Sequence, residues 1–306
     1  APPPQGAWLV PQMVEQVGAA IDRNEQALLF LNRRGYAPLT LCRACGHRYA
    51  CPDCDAWMVE HRFRKQLQCH HCGHIESVPQ NCHSCGEADK LAACGPGVER
   101  ITEEIIGHFP EARTIVLSSD MGGVAAQREA IQRICAGEAD IIVGTQIIAK
   151  GHDFAKLSFV GVVDADLGIG NGDLRAAERT YQLLSQVAGR AGRRAERQGF
   201  AMLQSHSPEH PVLQALVSGD RDSFFEREIA ARQLAEMPPF GRLAALIVSA
   251  TNPQEGLAFV RQMAVKMPPH KEIRVLGPAP APMARIRNRY RYRFLLKASR
   301  QAPLQG

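Results

Sequence analysis

Five short runs of the chain are apolar at nearly every position: residues 27–31 (Ala-Leu-Leu-Phe-Leu), 114–117 (Thr-Ile-Val-Leu), 140–143 (Asp-Ile-Ile-Val), 159–163 (Phe-Val-Gly-Val-Val) and 200–203 (Phe-Ala-Met-Leu). A strand with no polar face must be covered on both sides, as in parallel sheets flanked by helices. The intervening segments supply helices of the right kind. Val98, Ile101, Ile105 and Phe109 recur at helical spacing, and so do Leu183, Leu184 and Val187. The alternation predicts a doubly wound α/β domain. There is no internal repeat of fixed period.

Residues 42–94 break this pattern. They hold nine of the ten cysteines and six of the eleven histidines and lack any long apolar period, so they read as an insertion into the α/β domain. After Pro211 a helical connector is expected through Glu236, ended by Met237, Pro238 and Pro239. A small α+β domain follows. Residues 243–250 suit a strand, 254–267 a helix, and 290–297 a strand in which Arg291 and Arg293 alternate with apolar neighbours. The expected layout is an α/β lobe from 1–41 and 92–205, an insert over 42–91, a connector over 206–236 and a C-terminal domain over 237–306.

Composition narrows the class. With 306 residues, 45% hydrophobic and 22% charged, the chain is long enough for about two domains with a core of their own, and collagen-like or disordered readings fail. No run of about 18 apolar residues occurs, and the start (Ala1, Pro2, Pro3, Pro4) is not a basic region leading into an apolar one, so neither a membrane span nor a secretory signal is expected and the compartment expected is the cytoplasm. The net charge of +5 is unevenly spread: residues 271–306 carry nine Lys/Arg against one acid, and the remainder is slightly acidic. A concentrated basic tail attracts polyanions, nucleic acid foremost; a solvated basic face is the alternative.

The cysteines fall into four C-x-x-C pairs, Cys42/Cys45, Cys51/Cys54, Cys69/Cys72 and Cys82/Cys85, separated by five, fourteen and nine residues. Eight thiolates suffice for two four-sulfur zinc sites, closed to substrate and therefore structural. A redox role would need one C-x-x-C opening the helix of a βαβ unit, not four in succession. Spacing alone allows sequential, crossed or nested pairing. The fourteen-residue loop resembles a zinc ribbon and favours Cys51/Cys54 with Cys69/Cys72, leaving Cys42/Cys45 to meet Cys82/Cys85. His47, His70, His71, His74 and His83 read as polar surface residues, and Cys94 and Cys135 as small core residues. The insert balances six basic against six acidic residues, which suits a scaffold or docking surface better than DNA contact through Arg62, Arg64 and Lys65.

Two further strings carry chemistry. The strand at 140–143 runs into Gly144, Thr145, Gln146 and on through Lys150, Gly151, His152, Asp153 and Phe154, a polar turn at the carboxyl end of a strand, where α/β folds place ligands. Residues 186–193 read Gln186-Val187-Ala188-Gly189-Arg190-Ala191-Gly192-Arg193. Small residues there allow close backbone approach, and guanidinium forks suit a transferring phosphoryl group.

These strings, with residues 29–38 (Leu-Phe-Leu-Asn-Arg-Arg-Gly-Tyr-Ala-Pro) entering the eight-cysteine insert, resemble the superfamily-two helicases and, within them, the PriA family of replication-restart helicases. The resemblance covers essentially the whole chain. It implies a RecA-like second motor lobe with an inserted double-zinc module, nested as above, and a small α+β C-terminal domain. It further implies ATP-driven 3′-to-5′ movement on single-stranded DNA and reloading of the replication machinery. By this resemblance Arg190 and Arg193 look like arginine fingers reaching the ATP γ-phosphate and Gln186 like the residue that senses it. Gly151 and Asp153 resemble residues beside the nucleotide, and Thr145, Gln146 and Lys150 those facing the DNA backbone. The basic run Arg285, Arg287, Arg289, Arg291, Arg293 and Lys297 resembles the family's domain for branched DNA, and Arg300 a position receiving the acidic tail of single-strand-binding protein. Other primosome proteins are implied partners, and a monomer the implied state.

Neither a G-x-x-x-x-G-K-[ST] phosphate loop nor an Asp-Glu-x-His box occurs, although phosphoryl transfer needs a Lys and Mg2+ on the β and γ phosphates. The expectation is half a motor, a C-terminal fragment stopping slightly short of the usual end, which alone hydrolyses no ATP. A competing reading is a non-enzymatic, zinc-stabilised module that binds DNA and docks primosome proteins.

Overall fold

The structure is a computed structural model and describes the chain except residues 1, 5–6, 33–38, 43, 46, 55, 62–65, 70–71, 89–90, 95–96, 119–122, 149–153, 170–173, 193–198 and 305–306. The chain divides into two compact units, Ala1–Ala37 with Gly95–Arg221, and Pro38–Cys94 with Asp222–Gly306.

The first unit is built on five strands, β1 (Gln26–Phe30), β7 (Thr114–Leu117), β8 (Ile141–Gly144), β9 (Leu157–Val162) and β10 (Phe200–Leu203), numbered along the whole chain. They form one parallel sheet in the order β10-β9-β1-β8-β7. The first strand is central, and the chain crosses it between β8 and β9. Helices α1 (Pro11–Asp22) and α2 (Val98–His108) cover one face; α3 (Val124–Cys135), α4 (Ala176–Ala188) and α5 (Pro211–Ser218) belong to the other.

Strand β1 shows why the sequence does this. Successive side chains point to opposite faces, so Ala27, Leu29 and Leu31 join Met13, Val17, Ile101 and Ile105, while Leu28 and Phe30 join Ile134, Leu184, Val187 and Leu213. Both faces are apolar because both are covered. Full burial of a side chain such as Phe30 is worth about 1.5–3 kcal/mol. The buried Gln26 is satisfied by donating from Nε2 to Ile134 O and Ala139 O at 3.0 and 2.9 Å. Cys135 departs from expectation: it is exposed, because α3 turns Ile134 inward and the next residue falls about 100° further round the helix. Cys94 ends a strand whose side chains there lie outside the described residues.

In the second unit β2 (Leu39–Cys42) pairs antiparallel with β6 (Leu91–Cys94), and β3 (Val59–His61), β4 (Gln66–Gln68) and β5 (Ile75–Ser77) form a small antiparallel sheet. Helix α6 (Arg221–Leu234) leads to a three-stranded antiparallel sheet, β11 (Gly241–Ala250), β12 (Ile273–Ile286) and β13 (Arg289–Ser299), in the order β11-β13-β12. Its helix α7 (Pro253–Lys266) begins where Asn252 Oδ1 accepts from the backbone N–H groups of Gln254 and Glu255, a side-chain cap followed by Pro at the first helical position. Phe294 and Val260 are fully buried between helix and sheet. The expected connector is in fact two helices, because Gly219 ends α5 in the left-handed region at φ 71°.

Candidate metal centres and motor-lobe site

Each C-x-x-C pair folds in the same way. The backbone N–H of its first cysteine donates to the carbonyl five residues on: Cys42 to His47, Cys51 to Ala56 and Cys69 to His74 at 2.8 Å, Cys82 to Glu87 at 2.9 Å. This closes four equivalent knuckles. The turns bring the sulfurs into two sets, Cys42, Cys45, Cys82, Cys85 and Cys51, Cys54, Cys69, Cys72, with all four atoms of a set within 4.8 Å of one another.

A tetrahedral ion with metal–sulfur bonds of about 2.3 Å spaces its sulfurs about 3.8 Å apart. The separations Cys42–Cys85 and Cys45–Cys82 are 3.7 Å, and Cys51–Cys72 is 3.6 Å. Both sets therefore fit zinc with no position left for a substrate. The β3–β4 hairpin lies between Cys51/Cys54 and Cys69/Cys72, and the β2–β6 pair, with Cys42 opposite Leu91, joins the two ends of the segment that hold Cys42/Cys45 and Cys82/Cys85. Burial pushes the Cys51 thiol up to about 12, whereas hydrogen bonds from backbone N–H groups, that of Cys85 foremost, draw Cys82 down to about 6. Sulfurs this close cannot all ionise without a cation among them.

The two centres differ in setting. Cys45 and Cys85 of the first are exposed, while Cys51, Cys54 and Cys69 of the second are buried in a small core with Tyr49, Met58 and Leu67. Ile286 at the end of β12 packs against that core. The following turn reaches the second centre: Arg287 N–H lies 3.4 Å from Cys54 Sγ, and Asn288 donates to Asp53 from its backbone N–H (2.9 Å, to O) and from Nδ2 (2.7 Å, to Oδ1). Tyr49, Asp53 and Asn288 were not singled out by the sequence, and Arg287 only as a member of the basic run expected to meet DNA; the one signal was Tyr49 lying between two C-x-x-C pairs.

In the parallel-sheet unit the two motif strings occupy different ends of strands. Gly144 ends β8, and the N–H of Thr145 adds a last rung to the β7–β8 ladder by donating to Leu117 O at 3.2 Å. A Cβ at Gly144 would sit 2.6 Å from that same carbonyl and collide with Ile148, so the turn excludes any side chain there. Thr145 is buried, and Gln146, half-buried, donates to Asn32 Oδ1 at 3.2 Å. Lys150, Gly151 and Asp153 lie outside the described residues. Phe154 resumes the chain just before β9.

The second string closes onto that same strand start. Helix α4 buries Thr180, Tyr181, Leu184 and Val187 and leaves Gln186 exposed. Beyond its end, Gly192 N–H donates to Leu157 O, the first residue of β9, at 2.9 Å. Gly199 passes so close to Ala191 and Gly192 that a Cβ would overlap their backbone. Arg190, on the turn so fastened, is 8% exposed. Arg193 lies outside the described residues.

On β13, Arg289, Arg291, Arg293 and Lys297 share one face, opposite Tyr292 and the buried Phe294. Arg289 Nη2 donates to Ser249 O (3.1 Å), Arg291 Nη1 lies 3.4 Å from Met283 O, and Lys297 pairs with Glu236 (3.2 Å). Arg285, on β12, turns toward the second metal centre, with Nη2 3.4 Å from Cys51 O. Arg300 is exposed just beyond β13.

Comparison with known proteins agrees with this anatomy. Residues 97–195 match the family described as helicase conserved C-terminal domain, 51–76 the PriA DNA helicase Cys-rich region (CRR) domain, and 233–305 the primosomal protein N C-terminal domain. Replication restart protein PriA of Rickettsia felis is 44% identical over 98% of this chain and 46% of its own length; that of Bacillus subtilis is 37% identical over 88% and 33%. The chain thus spans about half the length of the curated relatives it matches. Among solved structures, S. cerevisiae Dbp5 bound to RNA and ADP BeF3 is similar at 14% identity over 72% of this chain and 42% of that one, with a TM-score of 0.35, too low to bear on the argument. With a parallel helicase lobe, paired four-cysteine clusters and a matching C-terminal sheet in one sequence, the chain belongs to the PriA replication-restart family.

Proposed function

We propose that this chain contributes the second motor lobe, the zinc module and the C-terminal DNA-binding domain of an ATP-dependent DNA helicase that moves 3′ to 5′ and reloads the replication machinery at stalled forks. The lobe is assigned to 1–41 and 92–205, the module to 42–91, the connector to 206–236 and the last domain to 237–306. One observation carries the reading. The hydrogen bond from Gly192 to Leu157 O fastens the arginine string to the start of β9, three residues beyond Phe154, with which the string that begins at Gly144 ends.

In this reading Arg190 and Arg193 stabilise charge on a transferring γ-phosphoryl group, and Gln186 senses it. Gly151 and Asp153 lie beside the nucleotide, and Thr145, Gln146 and Lys150 face the DNA backbone. ATP and Mg2+ supply the phosphoryl chemistry when bound, on a phosphate loop contributed by the other lobe, so this chain alone turns over no ATP. The eight cysteines hold two structural Zn2+ ions. Arg285, Arg289, Arg291 and Arg293 serve branched and single-stranded DNA, and Arg300 the acidic tail of single-strand-binding protein. Other primosome proteins are partners of a cytoplasmic monomer. Among the described residues no helix is long and apolar enough to cross a membrane.

The test is Arg190→Ala in a protein carrying both lobes. DNA-stimulated ATP turnover and unwinding should be lost while DNA binding and thermal unfolding stay close to the parent; unwinding at the parental rate would sink the motor reading.

A further inference from the structure

The second four-sulfur set, Cys51, Cys54, Cys69 and Cys72, draws on a segment more than 230 residues away. Within its own knuckles it has backbone donors from Asp53 to Cys51 and from His74 to Cys72, each at 3.4 Å. The donor to Cys54 at the same distance is Arg287 N–H, from the turn joining β12 to β13. Cys54 is 1% exposed, so this N–H takes the place that water would hold at an open site.

The turn is built in a demanding conformation. Arg287 and Asn288 have φ of 50° and 57°, both left-handed, which is the geometry of a two-residue hairpin turn that favours Asn-Gly. The left-handed region is unfavourable for an arginine, whose Cβ crowds the following carbonyl there. Asp53 holds the turn in place by accepting from both the backbone and the side chain of Asn288, while its other carboxylate oxygen lies 3.3 Å from His74 Nδ1. Ile286 adds an apolar contact to the core around Cys51 and Cys69. Among the described residues no such distant donor reaches the first set, whose Cys82 takes a donor from Ser84 in its own knuckle.

We propose that the Arg287–Asn288 turn is a working part of the second metal centre: its N–H stabilises the Cys54 thiolate, the Asn288–Asp53 clamp positions that N–H, and retention of this ion depends on the C-terminal sheet while retention of the other does not. This rests on the zinc reading of the clusters but not on the motor reading. N–H donors to ligating sulfur raise metal affinity, and losing such outer contacts costs about 10–100-fold. Arg287 and Asn288 are positioning residues, since neither offers a metal ligand.

The full chain, loaded with zinc, would be challenged with a chromogenic chelator. Asn288→Asp keeps a residue tolerant of the left-handed region but sets a carboxylate against Asp53. One of the two equivalents should then leave about tenfold or more faster, with the other unchanged, and the double substitution Asp53→Asn with Asn288→Asp, which exchanges donor and acceptor, should restore the slow rate. Asn288→Gly keeps the turn and removes only the side-chain clamp; with 113Cd in place of zinc, one of the two resonances should move and the other stay. Release of both equivalents at parental rates, equal acceleration of both, or two unmoved cadmium resonances would each overturn the proposal.

Discussion

Gln146 and Asn32 meet across 114 residues of sequence, Nε2 of the first donating to Oδ1 of the second at 3.2 Å. Asn32 is 3% exposed and passes the connection on, its Nδ2 donating to Leu167 O at 2.6 Å. One buried amide at the carboxyl end of β1 thus joins the turn after β8 to the turn after β9. Replacing it by Ala leaves the carbonyl of Leu167 and the amide of Gln146, both on half-buried residues, without their partner, at a cost of about 1–3 kcal/mol. Urea unfolding of Asn32→Ala should show that loss at an unchanged dependence on denaturant; a variant as stable as the parent would mean that water replaces the bridge.

The basic strand invites a comparison of arginines. Arg289 and Arg293 lie on one face of β13, whereas Arg285 turns toward Cys51 O. Each phosphate contact removed should flatten the slope of log affinity against log salt by about 0.9 for duplex and about 0.7 for single-stranded DNA. The pair Arg289→Ala with Arg293→Ala should flatten it by one to two such steps, and Arg285→Ala, one guanidinium nitrogen of which is turned to Cys51 O, by no more than one. A salt slope unchanged by the Arg289→Ala, Arg293→Ala pair would place the DNA path elsewhere.

These examples also show what the sequence could tell. Runs such as 27–31 were legible because a strand covered on both faces has no polar alternation to obscure, and the cysteine pairs because each knuckle is local. Strand β12 was not. Pro278, Pro280 and Pro282 argue against a strand, yet it is an edge strand whose ladder slips between Leu276 and Ala279 and between Pro280 and Arg285, where missing N–H groups are tolerated. Nor was the turn at Arg287 and Asn288 legible, since its partner Asp53 is 235 residues away and no local pattern encodes that distance. In the parallel-sheet unit, Gln186 and Arg190 stood out as letters in a string, but their differing burial depends on how α4 ends.

Metal removal should separate the two units. The zinc module has a small core around Tyr49, Met58 and Leu67 with Ile286 packed against it, whereas the parallel sheet is buried between two extensive apolar layers. In such modules metal affinity is folding free energy. Chelation should therefore release two equivalents, with backbone amides of Thr40, Tyr49 and Met58 losing protection from hydrogen exchange and those of Leu28, Leu29 and Ile142 keeping theirs. Unchanged protection at Tyr49 in the metal-free chain would show that the module folds without its ions.

The start of the β7–β8 pair titrates. Arg113 meets Asp140 through Nη2 to Oδ1 at 2.6 Å and Nε to Oδ2 at 3.0 Å, and its backbone N–H reaches the same Oδ2 at 2.8 Å. The side-chain bond from Arg113 is the main cause holding the Asp140 carboxyl below the usual carboxylate range, with the nearby Lys156 adding to it. A group more acidic when folded than unfolded stabilises the fold above its unfolded value, about 3.9, and stops doing so as pH falls through its folded value. Asp140→Asn should therefore be less stable than the parent at pH 7, with the gap closing below about pH 4 as both chains come to carry a neutral group at this position. The contact is largely exposed, so added salt should narrow the gap at pH 7 as well. A gap that stays constant from pH 7 down to pH 2.5 would mean that the geometry of the bond, and not the charge on Asp140, holds the two strands together.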